Sequence, residues 1–102
     1  MAAIEKSTVD KFIDRLRGCN SVMRKRISLN GWHPFKRLKL KREFNRLDDE
    51  AFEEAVKIEE RSLRAICADD VMDLGTVICR TTNDPQSALL DVLVILGIEV
   101  KE

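Results

Sequence analysis

Apolar residues recur at three- and four-residue intervals along most of this chain, a period that predicts helices. Val9, Phe12, Ile13 and Leu16 open one stripe, which continues through Cys19 and Met23 toward Ile27 and predicts a helix over residues 8–26. Ser7 and Asp10 have the spacing of a capping box at its start. Gly18 lies inside it, where glycine costs about 1 kcal/mol relative to alanine. A local bend or a tight crossing with another helix is expected there. A second stripe runs through Ala51, Ala55, Ile58, Ser62 and Ile66, widened by Phe52, Val56 and Leu63. It predicts a helix over 49–67, with Asp48 or Asp49 as cap and Arg61 and Arg64 in the last turns. Glu53 with Lys57 and Glu60 with Arg64 are favourable pairs at four-residue separation, and Lys57 with Arg61 is a repulsive one.

Asp70 and Asp73 introduce a third helix over 70–80, with Val71, Leu74, Val77 and Ile78 on its apolar face and Gly75 admitting a close neighbour. Asp84 at the cap and Pro85 at the first helical position start a fourth helix, which runs through Leu96 and stops at Gly97. Its residues from Leu89 to Leu96 are apolar almost all round, which suits the centre of a bundle or a dimer interface. Ile98 and Val100 then alternate with Glu99 and Lys101 as a short tail able to pair as a strand.

Between the first two stripes, Asn30-Gly31 signals a turn and Pro34 prevents a helix from running through. Trp32 and Phe35 flank His33 and Pro34. A small core needs aromatic area, so this turn is expected to fold back and seal the core, with an outward contact as the alternative. Residues 36–46 fit two periods. Leu38 and Leu40 alternate with Arg37, Lys39 and Lys41 as in a half-buried strand, whereas Leu40, Phe44, Leu47 and Ala51 repeat at helical spacing. A short extended or helical start over 36–41 that merges into the next helix is expected; a strand there would find its obvious partner in residues 98–101. The architecture predicted is mainly α: a compact bundle of about four helices around the C-terminal one, with a basic loop and room for one short β pairing, in a single domain over residues 1–102.

Charge makes this bundle strongly polar. Lys and Arg number 18 and Asp and Glu 18, for a formal net charge of zero. Residues 1–14 hold two bases and three acids, 15–46 eleven bases and one acid, and 47–102 five bases and fourteen acids, so the segments carry −1, +10 and −9. The two surfaces either face each other and cancel, within a monomer or across a homodimer, or point outward to different partners.

Candidate chemistry is sparse. With one histidine, His33, no His-based metal cluster forms. Cys19, Cys67 and Cys79 are widely spaced and odd in number, which suits buried thiols in a reducing compartment rather than a disulfide framework or zinc site. The N-terminus lacks a signal-peptide core, and the longest apolar run, residues 92–98, is too short to span a membrane. A cytoplasmic or nuclear location without membrane attachment is expected. Asp69, Asp70 and Asp73 mark a helix start rather than a metal site, and the glycines are too scattered for a phosphate loop. No catalytic residue, cofactor or metal is predicted.

The basic stretch remains. Arg24, Lys25 and Arg26, then Lys36, Arg37, Lys39, Lys41 and Arg42, could line one patch and neutralise backbone phosphates of DNA or RNA, with Trp32 and His33 available to stack on a base. This predicts a non-catalytic, nucleic-acid-associated regulator. The acidic half carries the alternative: a protein-binding adaptor or inhibitor docking Glu50, Glu53, Glu54, Glu59 and Glu60 on a basic, nucleic-acid-binding surface of a partner protein.

Overall fold

In the computed structural model, which describes residues 3–62 and 66–101, four helices and one two-stranded pairing follow the order β1 (Ala3–Glu5), α1 (Lys6–Ser28), α2 (Pro34–Arg61), α3 (Ala68–Thr81), α4 (Pro85–Ile95) and β2 (Glu99–Lys101). The mainly α architecture with a short β pairing is as the periodicities predict. The strands run parallel, Ala3 opposite Glu99 and Glu5 opposite Lys101. The tail therefore pairs with the N-terminus and not with residues 36–41. Ile4 and Ile98 are buried beneath this pairing, which ties the two ends of the chain to the core.

Residues 34–61 form one unbroken helix, so of the two expected starts over 36–41 the helical one, merging into the next helix, is realised. Pro34 occupies its first turn, where a missing N–H costs nothing, and no other Pro or Gly interrupts it. The stripe of Leu40, Phe44, Leu47, Ala51, Ala55 and Ile58 keeps one phase throughout, so the helical period prevails over the short alternation at 37–41. Asp48 and Asp49 thus lie inside a helix and cap nothing. The basic segment is correspondingly two helix ends and a turn rather than a loop. Leu63 and Arg64, expected on this helix, lie outside the described residues, and so does the Glu60–Arg64 pair.

Other starts differ in detail. α1 begins at Lys6 with Glu5 at the cap position, so Ser7 lies within the helix and its hydroxyl donates to Glu5 Oε2 at 3.4 Å instead of capping. α3 begins at Ala68, two residues before Asp70, with Asp69 and Asp70 in its first turn. Its first amide is capped from α2, since Ala68 N donates to the Glu59 carboxylate. Asp84 caps α4 as predicted, accepting from Ser87 N at 3.3 Å. That hydrogen bond holds its carboxyl below the usual range.

The hub of the core is α1 and not α4. Val9, Phe12 and Ile13 are fully buried, and α1 touches every other helix. α4 buries Pro85, Leu89 and Leu93 but leaves Val94, Ile95 and Leu96 exposed, so it packs at the side of the bundle. Gly75 explains how α3 closes on the hub: a Cβ there would lie 2.5 Å from Leu16 Cδ1 and 2.6 Å from Phe12 Cε2. Gly18 serves the crossing with α2, where a Cβ would stand 3.0 Å from Leu47 Cδ1. The tight-crossing reading of Gly18 therefore holds. None of the described helices is long and apolar enough to cross a membrane.

Helix lengths are unequal, and this decides the shape. At 1.5 Å per residue the 28 residues of α2 extend about 42 Å, twice the length of α3. α1 and α2 pair antiparallel and run on past the end of α3, giving a particle of 53 × 23 × 21 Å. The far end of the α1–α2 hairpin forms an arm outside the core.

Candidate functional site

The arm can be followed along the α1 stripe. Exposure is 0% at Phe12 and Ile13, 6% at Cys19, 38% at Met23 and 74% at Ile27. The apolar period continues, but its packing partner ends. On α2, no residue before Ala51 is fully buried, and the arm is held by the half-buried Leu40, Phe44 and Leu47.

At the tip, Asn30 and Gly31 turn the chain, with Gly31 at φ 79°, a left-handed conformation that glycine adopts without strain. The Arg37 guanidinium reaches back across the turn, Nη2 donating to Leu29 O at 3.3 Å and Gly31 O at 3.2 Å. His33 supplies the carbonyl that accepts from Arg37 N at 3.0 Å, and its ring is half-buried. The turn is thus tied to the first turns of α2. Trp32 is 88% exposed and Phe35 86% exposed, so neither seals the core. The hairpin carries both rings beyond the reach of α3 and α4, so the core does not cover them.

Around these rings lie the cations. Arg24, Lys25, Arg26, Lys36, Lys39, Lys41 and Arg42 are all exposed, and Arg37 is half-buried. On α2, Lys36, Lys39 and Arg42 recur every three residues and share one flank. Lys25 and Arg26 also sit in the last turn of α1, where a positive charge offsets the negative end of the helix. Among the described residues, none of these eight cations is paired with a carboxylate. The ion pairs are Arg15 with Asp14 and Glu50, Arg46 with Glu50, and Lys57 with Glu54.

The acidic set is used differently. Glu50 bridges Arg15 at 2.7 Å and Arg46 at 3.1 Å, Glu54 is drawn in against Lys57 at 3.2 Å, and Glu59 caps α3. Lys57 thereby meets Glu54 rather than the expected Glu53. Of the five acids singled out in the sequence, Glu53 and Glu60 stay exposed, Glu54 pairs within α2, and Glu50 and Glu59 join α2 to α1 and α3. The acidic and basic segments meet chiefly at Arg15, Arg46 and Glu50, where the arm joins the body.

Sequence reasoning misses two kinds of site residue. Arg80, in the last turn of α3, lines a shallow hollow with Asn20, Met23 and Arg24 and so extends the basic surface at the root of the arm. No local spacing relates residue 80 to residue 24; only the docking of α3 on α1 does. Ile27 reads as a core position by the helical period yet is exposed, and Leu38 and Phe35, which lie off the apolar stripe of α2, are exposed as well. The signal for Ile27 lies in the length of the α1 stripe compared with those of α3 and α4, and that for Leu38 and Phe35 in their phase on α2.

The three thiols are free, and Cys79 lines the hollow beside Arg24 and Arg80. Burial, aided by the Asp48 carboxylate, pushes the Cys19 thiol up to about 11. The exposed Cys67 is raised by its hydrogen bond to Asp70 Oδ2 at 3.0 Å, and Cys79 by burial. Among the described residues, no group of three or more His, Cys, Asp or Glu side chains could hold a metal ion. At the opposite end of the particle, a cleft of about 680 Å³ is lined by Lys11, Lys57, Lys101, Glu5 and Glu60, among others, and its charges are mixed. No protein-family profile, curated protein or solved structure matches the chain.

Proposed function

We propose that this protein is a non-catalytic, nucleic-acid-associated regulator that grips phosphates with the α1–α2 arm. The observation that carries this reading is the absence of carboxylate partners, among the described residues, for the eight cations between Arg24 and Arg42. Exposed like charges along a narrow arm repel one another, and a polyanion removes that repulsion while releasing its own counterions. The acidic body lies beyond Arg46, so most of its negative charge is held away from a strand bound at the tip. Fluorescence anisotropy with labelled oligonucleotides across a salt series tests this. Binding at low salt that weakens steeply as salt rises is expected. No binding at low salt would refute it, as would unchanged affinity after neutralising Lys36, Arg37, Lys39, Lys41 and Arg42.

One observation favours a second reading, a protein-binding adaptor or inhibitor. Met23, Ile27 and Leu38 add apolar area to the arm, which would suit an acidic amphipathic partner surface. Capture of one stoichiometric protein that survives nuclease treatment, together with no oligonucleotide binding, would favour it. An acidic-face version has less support, because Glu50, Glu54 and Glu59 already serve internal contacts.

A further inference from the structure

We infer that the tip of the arm selects nucleic acid with unpaired bases, single strands or strand ends, over continuous duplex; this rests on the phosphate-binding reading above. Trp32 and Phe35 are the two most exposed rings of the chain, and both stand at the tip, on either side of the first residue of α2. Exposed aromatic area of this size is unfavourable in water unless something covers it. The turn beneath Trp32 is held by the paired contacts of Arg37 to Leu29 and Gly31, so the ring is offered from an ordered support. A base can stack on such a ring only when one of its faces is free, as in a single strand or at a strand end. Lys36 and Lys39 follow Phe35 along α2 and would meet the phosphates on the same strand.

Charge alone predicts the opposite preference. Duplex DNA carries one negative charge per about 1.7 Å of axis and so offers a purely cationic arm more counterion release than a single strand does. A preference for single strands therefore reports stacking and not phosphate density.

The test compares a 20-nucleotide mixed-sequence single strand with the matching blunt duplex, by anisotropy, for the wild type, Trp32→Ala and Phe35→Ala. Both side chains are free of core contacts, so the variants keep the fold, as their helical circular dichroism checks. The wild type should bind the single strand more tightly. Trp32→Ala should weaken single-strand binding by about 5- to 100-fold while changing duplex affinity less than about twofold and leaving the salt slope as it was. The intrinsic fluorescence of Trp32, the chain's one tryptophan, should be quenched by the single strand. Equal affinity for both probes with no effect of Trp32→Ala overturns this inference and leaves the phosphate-binding reading standing. No binding of either probe at low salt overturns both. A Trp32 emission shift on vesicles of anionic lipid, without oligonucleotide binding, assigns the tip to a lipid surface and also overturns both.

Discussion

Replacing Lys36, Lys39 and Arg42 together by glutamine isolates the phosphate contribution of one flank of α2. Glutamine has nearly the same helix propensity as lysine and arginine, and all three positions are exposed, so the fold should be unaffected. Removing three like charges from an arm with no acid between residues 24 and 42 lessens self-repulsion, so stability should hold or rise at low salt. The effect on binding can be bounded. Arg37 is held by its contacts to Leu29 and Gly31, leaving seven exposed cations on the arm. If all seven engage a single strand, log K falls with log salt at a slope of about −4.9, so raising salt from about 50 to about 200 mM weakens binding about 900-fold. With three removed the slope becomes about −2.8 and the same change costs about 50-fold. These are ceilings, since one strand need not reach both flanks, but the difference of about 2 in slope belongs to the three residues alone. The assay is anisotropy at five or more salt concentrations on one labelled oligonucleotide. A variant slope equal to that of the wild type would refute the assignment of this flank to phosphate contact, whatever happened to the affinity at a single salt.

Other outcomes follow from the packing. Gly75→Ala should gain about 1 kcal/mol in helix propensity but lose more by overpacking, since the new Cβ meets Phe12 and Leu16 inside 2.8 Å, for a net loss of about 1–2 kcal/mol in urea unfolding. Gly18→Ala meets only the mobile end of Leu47 and should stay within about 0.5 kcal/mol of the wild type or exceed it; the reverse order of the two variants would contradict the α1–α3 crossing. The Asp84 carboxyl is lowered by its bond to Ser87, so its share of stability is present above the unfolded carboxylate range and is lost as pH falls through the folded value. Asp84→Asn should keep the cap and flatten that acid limb, whereas Asp84→Ala should lose the cap at all pH values, as urea midpoints between pH 2 and 7 would reveal. Iodoacetamide near neutral pH should label the exposed Cys67 first and the buried, raised Cys19 last, read by mass spectrometry, and early labelling of Cys19 would mean that α1 opens from the core.

Much of this architecture is written in local order. The stripe from Val9 to Leu16 specifies α1 and its buried face, Asp84-Pro85 starts α4, Asn30-Gly31 marks the turn, and the charge blocks are plain in the chain itself. These depend on neighbours within a few residues, where spacing and backbone preference act directly. What a periodic apolar residue will meet depends on elements far away in sequence. Ile27 keeps the period of a core yet is 74% exposed, because α3 and α4 are too short to reach it. The same cause leaves Trp32 and Phe35 at the tip, although a small core could have used their area. Glu59 reads as one more surface acid until the chain folds back and presents the first amide of α3 to it. Tertiary structure likewise decided that Glu50 and Glu59 are occupied while, among the described residues, the eight cations between Arg24 and Arg42 meet no carboxylate, because ion pairs form by proximity in space. The sequence determined that charge and aromatics share one segment; relative helix length determined that this segment stands clear of the fold.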